Sequence, residues 1–250
     1  LVLTGVEVSS EIGHILIYGP FPDFRDFDIK QSLDIFKEIK SPKHFAVFCH
    51  PFLPKNPILD WNYHGFDALE IFNGDSQWRD DSFFDMLYVL IGSFIYKNPL
   101  NFIVDYPEKN VKKWSELLNE RKIFQIGSVD AHANIKISKE RSIKFPRYEQ
   151  ILDFTKTHII TKEKLSGHAE KDKYIIFGCL KEGRCYTELG NFTDPEGFVF
   201  KGEANNRTVY SGDIIAGEVT FSVILPDTSD IVIRLYNKDK LICTSNHHKI

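Results

Sequence analysis

The chain has 250 residues, with 31 Lys+Arg against 35 Asp+Glu, a formal charge of −4, 42% hydrophobic residues and 26% charged residues. This is an ordinary globular composition, long enough for one α/β barrel-sized domain or two smaller ones without disulfide or metal staples. The slightly negative balance gives no basic surface for a phosphate backbone, which excludes nucleic acid as a default partner.

The chain opens on a strand-like run, Leu1-Val2-Leu3-Thr4-Gly5-Val6-Glu7, and its single Met is Met86. The sequence therefore reads as lacking an upstream part. Any leader peptide would lie there, so the compartment is left open, with the cytoplasm favoured over a secreted or periplasmic setting. Short β-branched or aromatic runs predict strands at 1–8, 14–18, 45–49, 68–72 and 123–127. Helical spacing lies between them. Ile29, Leu33, Phe36 and Ile39 repeat over Asp28 to Ile39, and Val111, Trp114, Leu117 and Leu118 share one face of Asn110 to Leu118. Phe83 to Tyr96 contains the longest apolar run, Met86 to Tyr96, which stops at Lys97-Asn98-Pro99. It falls short of the roughly 20 residues of a membrane span and predicts a buried amphipathic helix instead.

Strand and helix alternation of this kind points to a mostly parallel sheet or barrel wrapped by helices. Residues 148–156 and 169–182 continue it as helices. Beyond Gly190 the helical period disappears. Gly197 to Phe200, Gly217 to Leu225 and Ile231 to Tyr236 read as short strands, which predicts a small β-sandwich over 191–250 after a first domain over 1–190. Cys49, Cys179, Cys185 and Cys243 lack C-x-x-C spacing. They read as reduced, mostly buried thiols rather than a zinc knuckle.

The informative residues are those that end the strands. Gly5-Val6 runs into Glu7, Gly13 precedes His14, Phe45 to Cys49 runs into His50-Pro51, and Ile123 to Ile126 runs into Gly127-Ser128-Val129-Asp130-Ala131-His132. Strand ends and the loops after them are where α/β folds place functional side chains. His and carboxylate together are a ligand set for Zn²⁺, Mn²⁺ and Fe. Each residue alone also has a plain structural reading. Glu7 is a solvated loop residue, His14 a core histidine, His50 a strand terminator before Pro51, and Asp130 a turn cap. Residues and spacing alone leave both readings open.

Taken in order, Gly5-Val6-Glu7-Val8, Gly13-His14-Ile15-Leu16, Cys49-His50-Pro51-Phe52, Glu70-Ile71-Phe72-Asn73-Gly74 and Gly127-Ser128-Val129-Asp130-Ala131-His132 resemble the later motifs of the PHP (polymerase and histidinol phosphatase) family. Within it they are most similar to the carbaryl-hydrolase-like metallohydrolase branch. Leu180 to Tyr186 resembles a Gly-Arg segment near the end of such domains, so the similarity spans roughly 1–190. The resemblance implies a distorted (β/α)7 barrel, N-terminally incomplete here, with two or three divalent transition metals (Zn, Mn or Fe). It implies that Glu7, His14, His50, Asp130 and His132 are metal ligands, with Glu7 and Asp130 also catalytic. The activity implied is metal-dependent hydrolysis, foremost of a small phosphoester and next of an ester or carbamate, by a hydroxide bridged between metals. Arg184 becomes a candidate for gripping an anionic substrate, since guanidinium binds phosphate bidentately. A surface salt bridge with Glu182 is its other reading.

The family's opening His-x-His motif is missing, and no His precedes His14. It is expected upstream of Leu1. The competing expectation is a non-catalytic scaffold or binding protein with a β tail. His44 is read as a surface residue before its strand, His64 as a loop residue, and His247-His248 as part of a terminal tail. Asn73-Gly74 is read first as a turn signal.

Overall fold

Strand β1 (Gly5–Ser10) turns back through Glu11-Ile12 into β2 (Gly13–Tyr18), and the two pair antiparallel from Gly5↔Tyr18 to Ser10↔Gly13. The turn needs Gly13, whose φ is +124° and which lies against Ile58. β3 (Phe45–Phe48) then pairs antiparallel with β2, and β4 (Ala68–Asn73) and β5 (Phe124–Ser128) add in parallel, giving one sheet in the order β1-β2-β3-β4-β5. The computed structural model describes residues 1–19, 44–80, 83–132, 135–136, 141–226 and 231–247. The helix expected over Asp28 to Ile39 lies outside them.

Every residue of β3 and β4 is buried, as a strand covered on both faces requires. One face carries Val8, Ile15, Ile17, Ala46, Phe48 and Leu69, packed against Ile58, Phe66, Leu117 and Ile123. Phe48 stacks on Phe66 with centroids 3.9 Å apart, and burying each such ring contributes roughly 1.5–3 kcal/mol. The other face carries Phe45, Val47, Ala68, Phe124 and Ile126, with Leu16, Tyr18 and Leu180 against them.

Between β4 and β5 run α1 (Gly74–Asp80), α2 (Phe83–Gly92), a 3₁₀ turn (Pro99–Ile103) and α3 (Glu108–Leu118). After β5 come the short strands β6 (Ile135–Lys136) and β7 (Ser142–Ile143), then α4 (Tyr148–Leu152) and β8 (Thr155–Ile159). The helix α5 (Ala169–Glu182) and β9 (Cys185–Leu189) follow. β8 and β9 form an antiparallel pair beside β5. There the Thr157 hydroxyl accepts from the Gly127 N–H at 3.0 Å and donates to the Gly127 carbonyl at 2.8 Å.

The expected (β/α)7 barrel is not formed. Among the described residues the sheets are small and open, and strand exceeds helix, 33% against 24%, where a barrel wrapped by helices has the reverse. The physical reason lies at the start of the chain. A two-residue connection from β1 to β2 is far too short for a parallel crossover, which takes a dozen residues or more, so the first strands close as a hairpin. Among the described residues only β3-β4-β5 runs parallel.

Two further expectations are corrected. α2 is apolar on nearly every side but is not a buried helix. Val89 is buried, while Phe84, Leu87, Tyr88, Leu90 and Ile91 are exposed. Uniform apolarity leaves no polar face to set its orientation, and only the Val89 side reaches Phe72, Leu100 and Ile103. The tail, expected as a small sandwich, forms two separate small sheets. β10 (Val199–Ala204), β11 (Arg207–Tyr210) and β12 (Thr220–Ile224) form a three-stranded sheet in the order β11-β10-β12. β13 (Ile231–Asn237) and β14 (Lys240–His247) form a separate hairpin. No residue of 231–246 is fully buried, and Ile231, Ile233 and Leu235 are half-buried on one face of β13. The thiols match expectation in part: Cys49, Cys179 and Cys185 are buried and free, and Cys243 is free but exposed. Among the described residues no helix is long and apolar enough to cross a membrane.

Candidate metal centre

The polar side chains gather at one end of the main sheet, where β3, β4 and β5 finish and the β1–β2 hairpin turns. Ser9 stands opposite His14 and Glu7 opposite Leu16, so Glu7 and His14 lie diagonally on the same sheet face. Glu7 is the third residue of β1 rather than the end of a strand. Its Oε1 is 2.5 Å from His14 Nδ1. His50, just past β3, completes a triangle: its Nε2 is 3.2 Å from His14 Nδ1 and 3.6 Å from Glu7 Oε1. The Cys49 N–H donates to the His14 carbonyl at 3.1 Å and ties the two strand ends together.

A second group forms at the end of β5. His132 Nδ1 lies 3.3 Å from Asp130 Oδ1, 3.7 Å from Asp75 Oδ2 and 2.7 Å from the Asp130 carbonyl oxygen. Asp75 comes from the first turn of α1, whose start is capped by Asn73: the Asn73 Oδ1 accepts from the Ser76 N–H at 2.8 Å. Asn73 Nδ2 donates to Asp130 Oδ2 at 3.2 Å and to Glu70 Oε2 at 3.1 Å. Glu70 also accepts from the His50 N–H and from the Ser128 hydroxyl. His50 and Asp130 are two of the few non-glycine residues with positive φ, +26° and +43°, a conformation that costs about 1–3 kcal/mol and is held by its surroundings.

The electrostatics follow from this crowding. The imidazoles of His50 and His14 hold the Glu7 carboxyl below the usual carboxylate range, against the effect of burial. Burial disfavours charge on His50, but the hydrogen bond with Glu7 and the charges of Glu70 and Glu7 outweigh it and raise its pKa. Full burial pushes Glu70 up, and the bonds from Ser128, His50 and Asn73 offset this only in part. Burial likewise pushes the Cys49 thiol well up.

Two groups of side chains could each hold a metal ion: Glu7, His14 and His50, and Asp75, Asp130 and His132, with ligand atoms in each group within 4.8 Å of one another. Donor atoms around a tetrahedral Zn²⁺, with bonds of about 2.0–2.1 Å, stand about 3.3 Å apart. The contacts of 3.2, 3.3, 3.6 and 3.7 Å bracket that value, while the 2.5 Å contact of Glu7 with His14 is a hydrogen bond that must open to admit an ion. Two imidazole nitrogens facing each other beside a carboxylate need a shared proton or a cation between them. The donor set therefore fits a divalent metal.

All five ligands named from sequence sit in these groups, divided three and two. Arg184 does not. Its Nε donates to Glu182 at 2.9 Å and its Nη2 to Asp213 at 3.0 Å. Its neighbour Gly183 lies against Phe124, at the start of β5, and β5 runs from there to the metal groups. Arg184 thus ties the tail to α5 and β9, helped by the Ser211 hydroxyl, which contacts the Gly183 and Cys185 carbonyls at 3.0 and 2.8 Å. His44, read as a surface residue, is buried. Sequence reasoning missed Asp75, Glu70 and the polar role of Asn73. The available signal was a carboxylate inside the apolar run Ala68 to Phe72 followed by Asn-x-Asp. The chain was compared with protein families, curated proteins and solved structures, and no match was found.

Proposed function

We infer that the chain is a metal-dependent hydrolase acting on a small phosphoester, with ester or carbamate hydrolysis as the near variant. The observation that carries this reading is the pair of three-ligand groups at one sheet end, beside a cleft of about 490 Å³ to which His50, Asn73, Ser76 and Gln77 contribute. A cleft of that size suits a small substrate. The ordered motifs, similar to those of the PHP family, add support from sequence alone.

Divalent cations, Zn, Mn or Fe, would be held by Glu7, His14 and His50 and by Asp75, Asp130 and His132, and would supply Lewis acidity at neutral pH. The chain's own residues position the reactants. Glu7 and His14 are fixed by the hairpin register. Asn73 orients Asp130, and Asp105, Tyr106 and Glu108 form one wall of the cleft. Arg184 is committed to Glu182 and Asp213 and takes no part.

The test is hydrolysis of p-nitrophenyl phosphate and a panel of phosphomonoesters and phosphodiesters by the chain loaded separately with Zn²⁺, Mn²⁺ and Fe²⁺. Metal-dependent turnover that falls at least about 100-fold in His50→Ala and Asp130→Ala supports the reading. Turnover that survives in both variants, or no turnover with metal bound, refutes it.

A further inference from the structure

Glu70 belongs to neither three-ligand group, yet it touches the framework of both. It is 1% exposed. It lies on β4, between His50 at the end of β3 and Ser128 at the end of β5. One carboxylate oxygen accepts from the His50 main-chain N–H and from Asn73 Nδ2, and the other accepts from the Ser128 hydroxyl. Asn73 passes the contact on to Asp130. Its amide cannot turn over without losing the cap on α1, because Oδ1 holds the Ser76 N–H. The positive-φ residues of the site, His50 and Asp130, are therefore the two that this chain of bonds reaches, one from each group. A carboxylate placed in a fully buried strand needs several donors to stay there, and Glu70 accepts from three.

We propose that Glu70 is a positioning residue that holds the two metal groups in register, through the His50 main chain on one side and through Asn73 and Asp130 on the other. This rests on the metal reading of the site and is independent of the reaction the metals serve. Glu70 acts by accepting hydrogen bonds, not by ligating. Partners that orient ligands in this way are worth about 10–100-fold in metal affinity.

The experiment measures Zn²⁺ affinity by competition with a chromophoric chelator, one group at a time. A His132→Ala background leaves the Glu7 group, and a His14→Ala background leaves the Asp75 group. Glu70→Leu is expected to weaken Zn²⁺ binding about 10–100-fold in both backgrounds. Glu70→Gln keeps the shape and an acceptor oxygen, and the Ser128 hydroxyl can rotate to accept instead, so affinity stays within about threefold of the parent. If Glu70→Leu does not fold, Asn73→Ser takes its place, since Ser still caps α1 but lacks the amide donor. It is expected to weaken the Asp75 group about tenfold and to leave the Glu7 group unchanged. Equal losses in Glu70→Gln and Glu70→Leu would overturn the proposal and make Glu70 a charged ligand. An Asp75 group unmoved by Asn73→Ser would overturn it as well. Absent phosphoester turnover alongside the expected affinities would refute the hydrolase alone.

Discussion

Metal binding should raise the melting temperature in two separable steps. A ligand that binds only the folded state stabilises it by about 2.7 kcal/mol at 100 times its Kd. Melting temperature moves by about 2–4 °C per kcal/mol for a domain of 150–250 residues, so one occupied group is worth about 5–11 °C and two about 10–20 °C. The structure supplies the variants that separate them. His14 and His132 have side chains 19% and 59% exposed, against 5% for His50, so each is a ligand whose removal costs less packing than that of His50, His132 least of all. Scanning fluorimetry of the metal-free chain, titrated with Zn²⁺ or Mn²⁺, reads the shift directly. The unaltered chain should show the full two-group shift. His14→Ala and His132→Ala should each retain about half, and the double variant none. A full shift in the double variant would place the metal elsewhere, on other histidines such as His158 or His247, and would refute both the site and the reasoning. A half shift lost completely in either single variant would mean that the two groups bind only as one unit.

Two predictions concern the scaffold. Gly183 ends α5 at φ +74°, with its N–H on the Leu180 carbonyl at 3.0 Å and the Arg184 N–H on the Cys179 carbonyl at 2.9 Å. A Cβ there would fall inside contact distance of the buried Phe124 ring. Gly183→Ala should cost about 2–5 kcal/mol, from about 1–2 for the left-handed backbone and about 1–3 for overpacking, and a urea midpoint within 1 kcal/mol of the parent would contradict it. Asp172 accepts from the Ser166 N–H at 2.7 Å, the Ser166 hydroxyl at 2.8 Å and the Gly167 N–H at 2.9 Å. These bonds, the Ser166 N–H foremost, hold its carboxyl below its ordinary value of 3.8. A depressed folded pKa adds stability that is complete above the unfolded value and is lost as pH falls through the folded one. The melting difference between the parent and Asp172→Asn should therefore be constant at neutral pH and shrink below about pH 4. A difference that holds down to pH 2 would show that charge on Asp172 contributes nothing.

The central strands were legible because their chemistry is local. Phe45-Ala46-Val47-Phe48 and Ala68 to Phe72 are short uninterrupted apolar runs, and such runs can only be strands or core helices. The strand-end positions of His50 and of Asp130 with His132 followed from the same reading. Glu7 was found for a partly wrong reason. It was expected at a strand end, but it meets His14 because β1 and β2 fold back as a hairpin. α2 misled because an evenly apolar stretch carries no periodic signal about which side will be covered. Arg184 misled because a motif names a residue type but does not show which end of the sheet it will occupy.

What this sequence determined by itself was the strands of the main sheet and most of the residue types in the two His/carboxylate groups, since these depend on side-chain chemistry and on neighbours a few positions away. β8, β9 and β14 were not legible, and β8 begins inside the stretch 148–156 that reads as a helix. Tertiary structure alone decided that the sheet stays open and that Asp75, arriving on α1, joins Asp130 and His132. It also decided that Glu70 and Asn73 link one group to the other. Those outcomes depend on strand direction, helix placement and register between segments tens of residues apart. Chain reversal at Glu11-Ile12, the cap at Asn73 and the parallel pairing of β4 with β5 settle them, and none of these can be read from the residues one at a time.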